Sequence, residues 1–260
     1  MTEEVPLLGG TANRGLVVRV GDTVRRPCRS TGPATHALLR HLEAVGFDGA
    51  PRFLGRDPLG REVLSYVPGQ AITPPYPDWA LTDAALARVA ALLRRYHRAV
   101  ADFDPAPHHW PARPPAPFGG GVLLHNDPNL DNVVFRDREP VALIDFDLAS
   151  PGARVWDVAA AARLWAPLRA DVDVEDSRRG RTLDRFRLFA DAYGLLPAER
   201  AQLVDAVVAN HDWLYDLVER EAGRGNPGFG EYWQSGGRDR AARTRAWYVE
   251  HVAVLRAALK

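Results

Sequence analysis

Between Leu7 and Val67 the apolar positions come in short runs or alternate with polar ones, which predicts strands. LVVRVGDTVRRP carries Gly21-Asp22 between two β-branched runs, a hairpin turn signal, and Pro27 ends its second strand. After Pro33 the pattern changes period. Ala34, Leu38, Leu42 and Val45 recur at helical spacing, and Gly46 stands at the stop. Two more strands follow, Pro51 to Leu54 and Glu62 to Val67, around a turn at Asp57-Pro58-Leu59-Gly60. The expectation is a small sheet with one helix laid across it.

Prolines then interrupt the pattern at Val67-Pro68-Gly69-Gln70 and in Thr73-Pro74-Pro75-Tyr76-Pro77. Residues before proline resist helix, so a lobe boundary is expected there. It divides the chain into an N-lobe, 1–67, and a C-lobe, 68–260. Beyond it Thr82 is a candidate N-cap for a helix carrying Leu86, Val89, Leu93, Tyr96 and Val100 on one face. Further helices are expected from Val155 to Leu168, from Leu183 to Tyr193 with Gly194 as C-cap, from Pro197 to about Glu219, and from about Arg238 to Leu259. The segment GRGNPGFG reads as a loop.

One β-rich stretch interrupts the helices and carries the chemistry. LLHNDPNLDNVVF and VALIDFDLASPG supply two apolar runs joined by Asp137-Arg138-Glu139-Pro140. A symmetric four-residue turn would pair Arg136 with Val141 and set Asn132 opposite Asp145, with Cβ atoms about 4.5–5.5 Å apart. An amide oxygen and a carboxylate converging at the open end of a hairpin suit magnesium, which keeps several waters and takes few protein ligands. Asp127, in the loop that feeds the hairpin, is placed to accept a proton from an attacking hydroxyl. His125 is a second candidate base, or a brace for that loop.

Composition narrows the partners. The chain has 260 residues, equal numbers of basic and acidic side chains, and a pI near 7.1, so no nucleic acid is expected as partner. Lys260 is the only lysine. Cys28 is the only cysteine, which excludes an internal disulfide and a thiolate metal cage. No apolar run approaches the roughly 18 residues of a membrane span, and MTEEVPLLGG lacks the regions of a signal peptide. A cytoplasmic protein with no membrane partner is expected.

H-x-D-x-x-x-x-N followed by I-D-F resembles the catalytic and metal-binding motifs of the aminoglycoside phosphotransferase and choline kinase-like family, small-molecule kinases. The N-lobe pattern, SYVPG and Trp156-Asp157 extend the likeness over most of Leu7 to Leu168. The resemblance implies an α+β, bilobal protein-kinase-like fold, with a small β-rich N-lobe and a larger, mainly helical C-lobe. It also implies ATP (or GTP) and Mg as cofactors and a hydroxylated small molecule as substrate. Asp127 would be the catalytic base, and Asn132 and Asp145 the metal ligands. Asp157 would support the catalytic loop, and Asp147 is a further candidate metal or substrate contact. Gly10 and Asn13 would lie over the phosphates, and the backbone of Ser65 and Val67 would meet the adenine.

Two departures stand out. Such kinases usually hold the phosphates with a strand lysine oriented by a helix glutamate. Here TVRRP offers Arg25 or Arg26 instead, Arg25 aligning better, and Thr35-His36 stand where the glutamate is expected. An alternative reading is therefore a kinase-fold binding protein with impaired catalysis. The acidic run from Asp171 to Asp176 invites a polycationic acceptor, but Arg178, Arg179 and Arg181 follow it at once.

Overall fold

In a computed structural model, which describes residues 3–7, 15–111 and 113–260, the chain is bilobal and resembles protein kinases. The N-terminal sheet has five antiparallel strands in the order β1-β2-β3-β5-β4, namely β1 (Val5–Pro6), β2 (Val18–Val20), β3 (Thr23–Arg26), β4 (Phe53–Arg56) and β5 (Glu62–Ser65). Gly21, at φ 58°, makes the β2–β3 turn that its position in the sequence suggests. Helix α1 (Gly32–Ala44) buries Ala34, Leu38, Leu39 and Leu42, a stripe at helical spacing.

After the sheet, β6 (Gln70–Ala71) pairs with a strand of the C-terminal part, β8 (Val133–Arg136), which pairs in turn with β9 (Glu139–Leu143). The chain here passes so close to β8 that a Cβ on Gly69, whose φ is 147°, would stand 2.5 Å from the Phe135 carbonyl oxygen. The expected isolated hairpin is thus a three-stranded sheet. A short strand pair, β7 (Val122–Leu124) with β10 (Ser150–Gly152), frames the stretch that carries Asp127, Asn132 and Asp145.

Helix α2 (Asp83–Ala99) opens with the Thr82 hydroxyl accepting from Ala85 N at 3.2 Å, the expected cap. Its apolar face packs on α4 (Thr182–Tyr193), which ends in Gly194 at φ 79°. Helix α3 (Arg154–Trp165) is buried on nearly every side, against α5 (Pro197–Gly223) among others. The segment expected as a loop after α5 instead contains α6 (Pro227–Tyr232), and a wide turn at Trp233–Gly237 leads into α7 (Arg238–Ala258). Pro227 opens α6 at a first-turn position, where its missing N–H costs nothing.

Candidate active site

The hairpin corrects the expected register by one. Its turn is two residues, Asp137 and Arg138, with φ of 51° and 65°, so Arg136 pairs with Glu139 and a bulge follows between Val134 and Phe135. Positive φ at both central residues suits the twist of a tight hairpin, which a four-residue turn would not need. Ile144 N then donates to Asn132 O at 2.9 Å, placing Ile144 rather than Asp145 across from Asn132. Asp145 follows at φ 65°, a left-handed conformation that re-aims the chain, and Asn132 and Asp145 line the same cleft.

Asp127 and Asn132 are joined directly. The Asn132 amide donates to the Asp127 backbone oxygen at 2.8 Å and to its Oδ2 at 3.0 Å. The amide nitrogen is therefore committed, and the amide oxygen is the free donor for a cation. The Asp145 side chain is 34% exposed, with room for water ligands. One amide oxygen and one partly solvated carboxylate form a hard-oxygen set that fits magnesium. Burial, with Asp145 and Asp131 nearby, pushes the Asp127 carboxyl up to about 8. Asp131, next to this set and also lining the cleft, is raised first by its own burial.

The loop that presents Asp127 is held from beneath by Asp157 on α3. Its carboxylate accepts from the backbone N–H of His125 and of Asn126, both at 2.8 Å, and lies 2.9 Å from His97 Nε2. Burial alone would raise the Asp157 pKa, but the His97 contact and the loop N–H groups bring it below the usual carboxylate value. His125 is fully buried. Its Nε2 faces the Ile144 oxygen at 3.0 Å, and its Nδ1 accepts from Asp127 N at 3.3 Å, so both ring nitrogens are engaged inside the loop. Asn126 adopts φ 64°, a conformation asparagine tolerates, and its amide ties the loop to Leu148 O and Ser150 Oγ.

On the N-terminal side the arginine that reaches the cleft is Arg26. Arg25, the neighbour expected from alignment, points elsewhere, toward Asp57 at 3.5 Å, because successive strand residues face opposite sides of a sheet. Arg26 bonds to Glu62, to Asp145 Oδ1 at 3.1 Å and to Asp147 Oδ1 at 2.7 Å. Burial opposes its charge, yet these three carboxylates raise its pKa above the ordinary range for arginine. Asp147 also pairs with Arg29 at 2.6 Å, which occupies it with N-lobe arginines.

The missing helix glutamate has a counterpart on the sheet. Glu62 stands across from Arg26 in the β3–β5 register and is 2% exposed. Its second oxygen lies 2.6 Å from Nε2 of His36, which comes from α1 near where the glutamate was expected. Sequence reasoning passed over Glu62 because only the pairing of strands distant in sequence sets it against Arg26. Cys28, His36 and Glu62 bring one potential ligand atom each within 4.8 Å of one another. Glu62 is already engaged by Arg26 and His36, so protein partners account for this group without a metal.

The remaining expected positions divide. Ser65 and Val67 line the cleft with Tyr66, Leu39, Leu64 and Ile144, around a volume of about 400 Å³. Gly10 and Asn13 lie outside the described residues.

Residues 108–189 match the phosphotransferase enzyme family. Over the full length of both chains, the protein is 33% identical to a trifolitoxin immunity protein of Rhizobium leguminosarum bv. trifolii. Its fold is similar to that of a choline/ethanolamine kinase family protein from Mesorhizobium loti (TM-score 0.63, 19% identity, 99% of this chain and 92% of that one). It is also similar to a microcompartment-associated aminopropanol kinase (TM-score 0.62, 15% identity, 100% and 94%). A GDP complex of aminoglycoside 2′-phosphotransferase-IIIa aligns with TM-score 0.54, 15% identity and coverage of 99% and 92%. Sequence motif, fold and full-length relative converge: the chain belongs to the aminoglycoside phosphotransferase and choline kinase-like family of phosphotransferases.

Proposed function

We propose that this protein is an ATP- and magnesium-dependent phosphotransferase acting on a hydroxyl of a small molecule, with Asp127 as base. The observation that carries the reading is one cleft lined by Asn132, which is bonded to Asp127, and by Asp145, which is bonded to Arg26 of the N-lobe. The nucleotide would lie between Leu39, Leu64 and Ile144, with its base toward the backbone of Ser65 to Val67. Magnesium held by Asn132 and Asp145 would neutralise charge on the phosphates. Arg26 takes the role usually given to lysine, and its planar fork, fixed by Glu62, offers phosphate more than one donor. Asp127 orients the acceptor hydroxyl and receives its proton. Its raised pKa calls for the positive charge of the assembled site to keep it ionised.

A kinase-fold protein that binds without catalysis remains the alternative. Its motive was the absent lysine–glutamate pair, and Arg26 with Glu62 fills that place. The relative named as a trifolitoxin immunity protein makes a toxin one class of acceptor worth assaying. The test is thermal unfolding with ATP, with and without magnesium. At a hundredfold excess over Kd, binding to the folded state adds about 2.7 kcal/mol. Magnesium-dependent stabilisation is expected; none at millimolar nucleotide refutes the proposal.

A further inference from the structure

Beyond the exposed Arg154 at its start, helix α3 is apolar except at two buried charges. Asp157 supports the catalytic loop, whereas Arg163, only 6% exposed, has no ion-pair partner and no side-chain hydrogen bond among the described residues. A buried guanidinium without a carboxylate is costly unless something else supplies the negative charge. Arg163 lies close enough to Asp127 to act on it electrostatically, so the unmatched charge sits beside the proposed base, on the C-lobe side.

Arg169 repeats the pattern one turn beyond the end of the helix. Its Nε is buried and unpartnered, and it is in no ion pair among the described residues. Burial and the neighbouring Arg178 weaken its charge. Both arginines act on the hydroxyls of Tyr215 and Tyr248, which places the four residues in one group. The His211 ring lies tilted with its centroid 4.7 Å from that of Tyr215, and edge-on at 5.3 Å from that of Tyr248. The buried atoms lacking a protein partner here are Arg163 Nε, Arg169 Nε, His211 Nε2 and the Tyr248 hydroxyl, and three of the four are donors.

The nearby carboxylates Asp173, Asp176 and Asp212 do not neutralise this group, because each already has a cation. Asp176 pairs with Arg178 at 2.7 Å, Asp173 with Arg243 at 2.6 Å, and Asp212 with Arg245 at 3.0 Å. Asp171 accepts from Gly180 N at 3.2 Å. The acidic run that invited a polycation is thus largely spent on arginines of this chain. Asp131, which also acts on Asp127, carries no ion pair among the described residues either, so what sets the two arginines apart is a pair of buried Nε–H donors with no acceptor.

Resting on the phosphotransferase reading, we propose that the acceptor is a hydroxylated anion, whose carboxylate or phosphate is bound by Arg163 and Arg169 while its hydroxyl meets Asp127. A planar fork against a carboxylate or phosphate is the pairing arginine makes best. The tyrosine and histidine rings would supply the apolar wall of the same subsite.

The test uses the full chain without nucleotide and follows tryptophan fluorescence during titration. The acidic probes are glycerate and glycerol 3-phosphate, which separate a carboxylate from a phosphate source. The comparison probes are glycerol and the polycation kanamycin. Saturable binding of an acidic probe is expected, with glycerol and kanamycin at least tenfold weaker. Arg169→Gln, at a partly exposed position that should tolerate the change, should weaken the acidic probe about tenfold to a hundredfold, the worth of a charged hydrogen bond. Arg163→Lys, which keeps the charge and loses the fork, should fall between that variant and wild type. No saturable binding of either acid, a preference for kanamycin, or acid binding unchanged in Arg169→Gln overturns the proposal. Thermal shift with magnesium-ATP is run on the same samples. Failure there with acid binding intact removes the phosphotransferase reading alone, and the reverse result removes the anionic acceptor alone.

Discussion

Residue by residue, the site depends on single atoms whose second partner is fixed. Asn132 spends its amide nitrogen on Asp127, which orients both groups at once. Asp127→Asn should lower turnover by about 10²–10⁴-fold, the usual worth of a positioned base, with ATP affinity nearly unchanged. A kinetic assay paired with nucleotide titration checks both halves. Arg26→Ala would leave the buried Glu62 without its arginine and Asp147 with Arg29 alone. A stability loss of about 3 kcal/mol is expected, together with loss of nucleotide binding. Urea unfolding and an ATP titration would measure these. The choice of Arg26 over Arg25 was not legible from sequence, because two adjacent arginines differ only in which face of β3 they occupy.

At the level of elements, the β8–β9 hairpin and α3 position the loop between them. Arg138, at φ 65°, occupies a left-handed position where a side chain costs about 1 kcal/mol or more. Arg138→Gly should therefore raise stability by about 1 kcal/mol and Tm by roughly 2–4 °C, as differential scanning calorimetry can report. Asp157 is the link from α3 to the loop. Its pKa is lower in the folded chain than the ordinary 3.8, so its contribution is full above that value and is lost as pH falls through the folded pKa. Wild type and Asp157→Asn should differ in urea midpoint at pH 7, and the gap should narrow in the acid range below about pH 4. A gap that stays constant down to pH 3 would show that the carboxylate charge is not what holds the loop. The helices apart from α6 were well marked in the sequence. Thr82, Gly194 and Pro197 are local signals, and local signals survive translation into structure.

For the whole molecule, the two lobes meet through charge as well as apolar surface. Arg26 and Arg29 from the N-lobe converge on Asp147, and Arg26 also takes Asp145. Asp147→Asn should loosen this junction without unfolding the helices. Hydrogen exchange should rise in β3 and in Phe146–Leu148, while α2 and α4 keep their protection. The Arg26–Asp145 contact also places the N-lobe cation beside one candidate metal ligand, so nucleotide and magnesium would have to share that carboxylate with it.

By itself the sequence determined the order of most elements, though not β6 or α6, the change from strands to helices beyond Pro68, and the grouping of Asp127, Asn132 and Asp145 on one short stretch. Periodicity, caps and turn residues act within a few positions of one another, so they can be read without coordinates. Only the tertiary structure decided that Arg26 rather than Arg25 enters the cleft and that Glu62 with His36 stands in for a helix glutamate. It also decided that the hairpin register at Asn132 is shifted by one, and that Arg163 and Arg169 have no ion pair among the described residues. These depend on strand pairing, on a two-residue turn and on which carboxylates reach which arginines. Those are long-range choices, and in a chain with so many arginines sequence spacing alone leaves them open.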